Sequence, residues 1–245
     1  MINCFIIARL SSKRLPKKNI LEINNIPMII HLVNRIKYSK YIKKIIICTS
    51  VEKSDDELAN LCKKNNLHCY RGSLENIMER ICSAASSYET EHIVEILGDN
   101  PLIDFEIVDD VIELYLKNNL DYAANISKDY NYQISLGTYK CFPIGIRVQI
   151  YKYKIAKQYK NFLNQSFMSK HPTNFIFENN KLFNTGYLEA KDKYSFFELP
   201  EINLAVNEKN QFDNIKEIFK YFNYNYFSLK NIKNFFEKNN FLAKL

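Results

Sequence analysis

A chain of 245 residues, 47% of them hydrophobic, can bury one sizeable α/β core or two small ones, which excludes wholesale disorder. No apolar run approaches the ~20 residues that span a bilayer. The opening MINCFIIARL has neither a basic region before its apolar stretch nor a small-residue cleavage site after it, so a cytoplasmic protein with no membrane partner is expected. A net charge of +7 leaves polyanions open as partners, but the lysines are spread among Ile, Asn, Phe and Tyr, and only Arg9 to Lys18 is densely basic.

In chain order, NCFIIA at 3–8 is too short for a helix and rich in β-formers, so it reads as a first buried strand. A polar loop follows, then a helix over 28–38 with Met28, Ile29, Leu32, Val33 and Ile36 on one face behind Pro27. KIIICT at 44–49 is a second strand. Ser54-Asp55-Asp56-Glu57 reads as a capping box opening a helix through Leu58, Leu61 and Cys62. LHCY at 67–70 is a third strand, and Ser73 is placed to cap a helix carrying Ile77, Ile81, Ala84, Ala85 and Tyr88. HIVEIL at 92–97 is a fourth strand, Asp104 caps a helix with Ile107, Val108, Val111, Ile112 and Tyr115, and DYAAN at 121–125 closes the series.

Short apolar strands alternating with helices are the mark of βαβ units on a parallel sheet, here a doubly wound α/β layer. From about 127 the pattern breaks. Gly137, Pro143 and Gly145 lie among β-like runs, and residues 150–163 look helical and basic. NFIFE and KLFNTGYL read as short strands, INLAVN as a last strand, FDNIKEIFKYF as a helix, and the final stretch as another helix. No repeat and no independent linker is present, so one domain over 1–245 is expected. It divides into a first half at 1–126, an insertion at 127–200, and a closing strand with C-terminal helices at 201–245.

The six cysteines form no CxxC pair and the four histidines do not cluster with them, so buried thiols in a reducing compartment are expected in place of disulfides or zinc.

Ligands bind at the carboxyl ends of the strands in an open α/β sheet, and three features fall there. The first is Ala8-Arg9-Leu10-Ser11-Ser12-Lys13-Arg14-Leu15-Pro16-Lys17-Lys18-Asn19, whose five cations repel one another unless a polyanion such as a triphosphate joins them. It lacks the spacing of a P-loop and of a dinucleotide fingerprint, and by charge pattern alone it also reads as a solvated basic loop. The second is Arg71-Gly72-Ser73, running into a helix that presents Arg80. The third is Gly98-Asp99-Asn100-Pro101, where an Asp in a tight turn can hold Mg²⁺ against phosphates. A nucleic-acid reading would need these basic residues on one continuous face with interleaved aromatics, whereas they fall at separate strand tips, so no nucleic-acid partner is expected.

Together these residues resemble the cytidylyltransferase family of CMP-Kdo synthetases, acylneuraminate cytidylyltransferases and spore-coat polysaccharide proteins, with the nearest likeness to the spore-coat type. The family's A-R-x-x-S-x-R-L-P-x-K is matched by Ala8, Arg9, Ser12, Arg14, Leu15, Pro16 and Lys18. Its R-G-S with an arginine seven residues on is matched by Arg71, Gly72, Ser73 and Arg80, and its G-D-x-P-L-I-D turn by Gly98 to Asp104. The resemblance implies a Rossmann-like sheet of the nucleotide-diphospho-sugar transferase kind, mostly parallel, with a small β-rich insertion. It implies a homodimer that attaches CMP from CTP to a small acidic or phosphorylated sugar-like acceptor for surface polysaccharide, with 1–126 as the nucleotide-binding half and 127–200 as the acceptor-binding and dimerisation insertion. Ala8, Arg9, Ser12, Arg14, Lys18, Arg71, Ser73, Arg80 and Gly98 would bind nucleotide, with Arg14, Lys18 and Asp99 catalytic.

The second half departs from the family. Ile144-Gly145-Ile146-Arg147-Val148-Gln149 stands where the family has D-G-x-D-V-E, and Val206-Asn207 where it has V-D, whose Asp is a second metal ligand. Asp99 and Asn207 are therefore the expected magnesium ligands, and Arg147, Gln149 and His171 the expected acceptor contacts. The losses also fit a sugar-nucleotide-binding protein of the same fold with weakened catalysis. The D-x-D motif of a nucleotide-sugar glycosyltransferase is absent.

Overall fold

A computed structural model describes residues 1–128, 139–162, 173–179, 181–223 and 226–245. In chain order the main sheet is built from β1 (Ile2–Ile7), β4 (Ile45–Ser50), β5 (His68–Gly72), β6 (His92–Leu97), β7 (Tyr122–Asn125), β8 (Gln149–Lys152) and β9 (Thr185–Leu188). A separate two-stranded hairpin pairs β2 (Glu22–Ile23) with β3 (Ile26–Pro27). Across the sheet the order is β5-β4-β1-β6-β8-β7-β9. All neighbours run parallel except β8, which is antiparallel to both β6 and β7.

Alternation along the strands splits the core in two. Cys4 and Ile6 of β1 face one side with Ile47, Val94 and Ile96, and Phe5 faces the other with Ile46, Cys48 and Ile93. On the first side lie α1 (Met28–Ile36), α2 (Asp56–Lys64), α4 (Phe105–Lys117), α7 (Lys209–Tyr221) and α8 (Leu229–Lys238), which contribute Leu32, Leu58, Val111, Phe219 and Phe236 among others. On the second lie α3 (Ile77–Ser87), α5 (Tyr153–Ala156) and α6 (Asn174–Glu178), with Ile81, Ala156 and Phe175. Helices on both faces of a mostly parallel sheet make this the doubly wound α/β layer that the periodicity predicts.

Several local expectations are corrected. Asp55 does not cap α2; its side chain turns inward and is fully buried. The cap of α3 is Asn76, which accepts from Glu79 N at 2.9 Å, while Ser73 Oγ accepts from Asn76 N one turn earlier. NFIFE is the short helix α6, because Phe175 packs between Phe162 and Phe183 at centroid distances of 5.3 and 5.8 Å and this contact overrides its β propensity. Residues 150–163 open as β8 before turning into α5 and a 3₁₀ segment, Lys157–Phe162.

INLAVN is not a ladder strand. Its groups bond singly: Ile144 N to Ile202 O at 2.9 Å, Leu204 N to Ile144 O at 2.7 Å, and Val206 N to Asp99 O at 2.8 Å. The last of these ties the segment to the tip of β6. Gly145, at φ 92°, makes the close pass possible, since a Cβ there would lie 2.3 Å from Ala205 N.

Candidate active site

The strand order reverses between β1 and β6, the place where doubly wound sheets open a crevice at their carboxyl ends. The two tips are drawn tightly together: Gly98 N donates to Ile7 O at 2.9 Å, and a Cβ on Gly98 would sit 2.9 Å from that of Ala8. Above them lies a cleft of about 580 Å³. The basic loop forms one wall through Arg9, Lys13 and Arg14, and Leu74, Ile77 and Arg80 form another.

Lys18 is the centre of the polar floor. Its ammonium donates to Asp99 Oδ2 at 2.6 Å, to Val206 O at 2.9 Å and to Asn207 Oδ1 at 3.0 Å. Arg14 Nη2 donates to the same Asn207 oxygen at 3.0 Å. Three chain segments far apart in sequence thus meet on one lysine. Since Asn207 is neutral, Asp99 is the one carboxylate in direct contact with Lys18 among the described residues, and Arg14 has an exposed carboxylate, Glu208, 4.0 Å away. The other Asp99 oxygen, Oδ1, is buried with no hydrogen-bond partner among the described residues. That atom is a hard, negatively charged donor at the edge of a cationic cleft. With the Asn207 carbonyl oxygen it suits magnesium, which takes one or two protein oxygens and fills its shell with water and phosphate.

The loop itself is rooted at several points. Lys17, at φ 58°, turns the chain back so that its N–H reaches Leu10 O at 3.0 Å. Ser12 Oγ accepts from Leu15 N at 3.4 Å. Asp55 accepts from Leu10 N at 2.7 Å, from Ser50 N at 3.1 Å and from Ser50 Oγ. Burial alone would raise the Asp55 carboxyl, but the bonds from Ser50 and Leu10 outweigh it and hold it below the ordinary carboxylate range. Sequence reasoning misses Asp55 because a run of acids at a helix start reads as a cap.

Of the expected nucleotide contacts, the structure gathers Ala8, Arg9, Ser12, Arg14, Lys18 and Arg80 around the cleft, with Asp99 and Asn207 at its floor. Arg80 is nearly fully buried, donates through Nη1 to Ser73 O, and has no hydrogen-bond partner for Nε among the described residues. Gly98 and Ser73 act through backbone placement: Gly98 joins the tips, and Ser73 shapes the entry to α3 and anchors Arg80. Arg71 is spent elsewhere, on Ser50 O at 2.9 Å, Glu52 O at 2.9 Å and an ion pair with Asp56 at 2.7 Å.

The expected acceptor residues lie deeper. Gln149 Oε1 accepts from Tyr122 Oη at 2.8 Å, Thr173 Oγ1 at 3.0 Å and Arg147 Nη2 at 3.1 Å. Glu95, beside them, accepts from Tyr151 Oη at 2.6 Å, and burial raises its carboxyl above the ordinary range despite Tyr151, Arg147 and Gln149. Arg147 and Gln149 therefore belong to a buried polar network under the insertion, each almost fully covered. His171 lies outside the described residues.

No helix among the described residues is long and apolar enough to cross a membrane. The chain is 29% identical over 233 residues to a protein of Methanocaldococcus jannaschii described as uncharacterized, covering 95% of this chain and 88% of that one. It is 26% identical over 223 residues to the spore coat polysaccharide biosynthesis protein SpsF of Bacillus subtilis, covering 88% and 85%. The fold of a cytidylyltransferase from Leptospira borgpetersenii superimposes with a TM-score of 0.84 at 23% identity, over 98% of this chain and 96% of that one. The cytidylyltransferase family model matches residues 3–243, nearly the whole chain, which therefore belongs to the cytidylyltransferases, CTP-dependent nucleotidyl-transferring enzymes.

Proposed function

We propose that this enzyme moves CMP from CTP onto a small acidic or phosphorylated sugar-like acceptor, releasing pyrophosphate, and that it serves surface-polysaccharide synthesis in the cytoplasm. The observation that carries the proposal is Lys18, held between Asp99 and Asn207 at the foot of a cleft walled by Arg9, Lys13 and Arg14. The likeness to SpsF supports the polysaccharide setting.

In this reading an oxygen of the acceptor attacks the α-phosphorus of CTP. A new P–O bond forms, the bond from the α-phosphorus to the bridging oxygen breaks, and its electron pair leaves with pyrophosphate. Arg9, Lys13 and Arg14 hold the β- and γ-phosphates, and Lys18 neutralises charge gathering on the leaving oxygen. Asp99 and Asn207 would hold magnesium, which when bound would neutralise further charge on the phosphate oxygens. Close placement of the two substrates accounts for the rest of the barrier lowering. The acceptor binds on the side of residues 127–200, where Arg147, 3% exposed and bonded to Gln149, would favour an acceptor carboxylate or phosphate through its charge and not by direct contact. The same stretch is proposed to build a homodimer, which size-exclusion chromatography with light scattering reads directly.

The test is calorimetry of CTP against ATP, GTP and UTP, with and without Mg²⁺, followed by a pyrophosphate-release screen over sugar acids and sugar phosphates. Selective CTP binding strengthened by Mg²⁺ supports the reading. Absence of binding by any triphosphate sinks it. A second reading, a nucleotide-binding protein with weakened catalysis, draws on Asn207, whose one side-chain oxygen is already shared by Lys18 and Arg14. It predicts CTP binding with no pyrophosphate release from any acceptor.

A further inference from the structure

One peptide group in the basic loop is gripped at both ends. The carbonyl oxygen of Arg9 accepts from Asn19 Nδ2 at 3.0 Å. The N–H of the same peptide, on Leu10, donates to Asp55 Oδ1 at 2.7 Å. Both gripping side chains are buried, Asn19 at 2% and Asp55 at 0% exposure. Each comes from outside the turn it holds: Asn19 from the 3₁₀ segment Lys18–Ile20, and Asp55 from the start of α2.

A peptide unit is planar, so it reorients only through the two soft torsions on either side. Pinning both its oxygen and its hydrogen removes that freedom, fixing ψ of Arg9 and φ of Leu10 together. The carbonyl of Leu10 is then held by Lys17 N, and its side chain is sunk in the core at 3% exposure. With the root immobile, Arg9, Ser11 and Ser12 are left lining the cleft. Asp55 does not line the cleft and its second oxygen is occupied by Ser50, whereas Asn19 borders the cleft as well as holding the peptide, so Asp55→Asn is the variant that isolates the clamp.

We infer that Asp55 and Asn19 are positioning residues for phosphate binding, clamping the Arg9–Leu10 peptide so that the loop is ordered before a nucleotide arrives. This rests on the reading that the loop receives the triphosphate. A loop already ordered spares binding the entropy of ordering it. An anion-binding wall of like charges also needs such a root, because Arg9, Lys13 and Arg14 repel one another until the ligand is present.

The test compares Asp55→Asn, Asn19→Ala and Ser50→Ala in the full chain. Asparagine at 55 offers one acceptor oxygen to three donors and turns an NH₂ toward an N–H. Asp55→Asn and Asn19→Ala are each expected to raise the Kd for CTP with Mg²⁺ about tenfold, or about 1.4 kcal/mol. Ser50→Ala removes a bond from the same carboxylate but leaves the Leu10 contact, so it should lower the melting temperature while keeping Kd within about twofold of wild type. The double variant Asp55→Asn with Asn19→Ala should bind hardly worse than the weaker single one, since both act on one peptide. In the ligand-free chain, hydrogen–deuterium exchange over residues 9–12 should quicken in both clamp variants and not in Ser50→Ala.

Wild-type affinity for CTP in both clamp variants would overturn the proposal, as would unchanged exchange over residues 9–12. If Asp55→Asn does not fold, Asn19→Ala tests the other end of the same peptide. A wild-type chain that binds no triphosphate overturns the nucleotide reading, and the exchange measurement then reports on the clamp by itself.

Discussion

Lys18 and Asp99 show how one contact carries several duties. Their 2.6 Å pair is only partly exposed, at 11% and 21% of side-chain surface, so removing either partner leaves the other charge poorly solvated. Asp99→Ala is expected to abolish pyrophosphate release; persistence of turnover would show that Asp99 is not needed to hold the metal. Asn207→Asp places a second carboxylate beside Asp99, so the Mg²⁺ concentration for half-maximal activity should fall about tenfold. An unchanged magnesium requirement would show that Asn207 is not a ligand. Arg9, Arg14, Lys18 and Asp99 were legible in the sequence because like charges and a Gly-Asp turn follow apolar strands, where ligands gather. Asp55 was not: its three donors come from Leu10 and Ser50, and nothing in its own neighbourhood names them. Asn19 closes the basic run, but its duty was hidden, its partner being a backbone carbonyl ten positions away.

At the scale of elements, legibility follows length and periodicity. The main-sheet strands and the α-helices through β7 were readable, since six-residue apolar strands such as β1, β4 and β6 alternate with amphipathic helices of nine to thirteen residues, whereas the two-residue strands of the β2–β3 hairpin read as polar loop. Beyond residue 127 the strands shrink to four residues and one of them, β8, runs against its neighbours. Patterns that short do not separate a strand from a helical turn, which is why NFIFE misleads. INLAVN misleads differently: it has strand composition but spends its hydrogen bonds on Ile144 and Asp99 one at a time. Gly145 is the hinge of that arrangement. Gly145→Ala combines a φ of 92° with a Cβ 2.3 Å from Ala205 N, so a loss of about 3 kcal/mol or more is expected, read from urea unfolding. Because residues 203–207 carry Asn207 to the cleft, the same variant should also weaken CTP binding. Full stability in Gly145→Ala would mean that the pass is looser than drawn.

At the scale of the whole molecule, His31 and His92 contribute a pH response near neutrality. His31 is buried against Phe219 at a centroid distance of 4.4 Å, and its Nε2 lies 2.8 Å from Ile23 O, which makes that nitrogen the donor. Burial lowers its pKa below the ordinary value, the Ile23 carbonyl opposes this, and Arg35 adds to it. His92, beside Tyr115 Oη at 2.8 Å, is lowered chiefly by burial as well. In each case the folded pKa lies below the unfolded one, so the unfolded chain binds the extra proton first as the pH falls. The contribution of these two histidines to stability is therefore held above about pH 6.5 and lost progressively below it. A melting temperature that falls between pH 7 and 5.5, with a shallower slope in His31→Gln, is the expected result. Identical slopes in the two proteins would remove His31 from the account.

The sheet order has a consequence for how the chain is made. β1 is central, paired with β4 on one edge and β6 on the other, through registers such as Cys4 with Ile45 and Ile2 with His92. Yet it leaves the ribosome before every other strand of the sheet. At about 5–20 residues per second, its second edge waits roughly 5–20 s for β6 to emerge. Through that interval an apolar strand of six residues, INCFII, stands with an open backbone edge, the shape that invites pairing with another nascent chain. Co-translational capture of this segment by a chaperone that shields extended apolar stretches is therefore favoured by the topology itself, whatever the enzyme's acceptor.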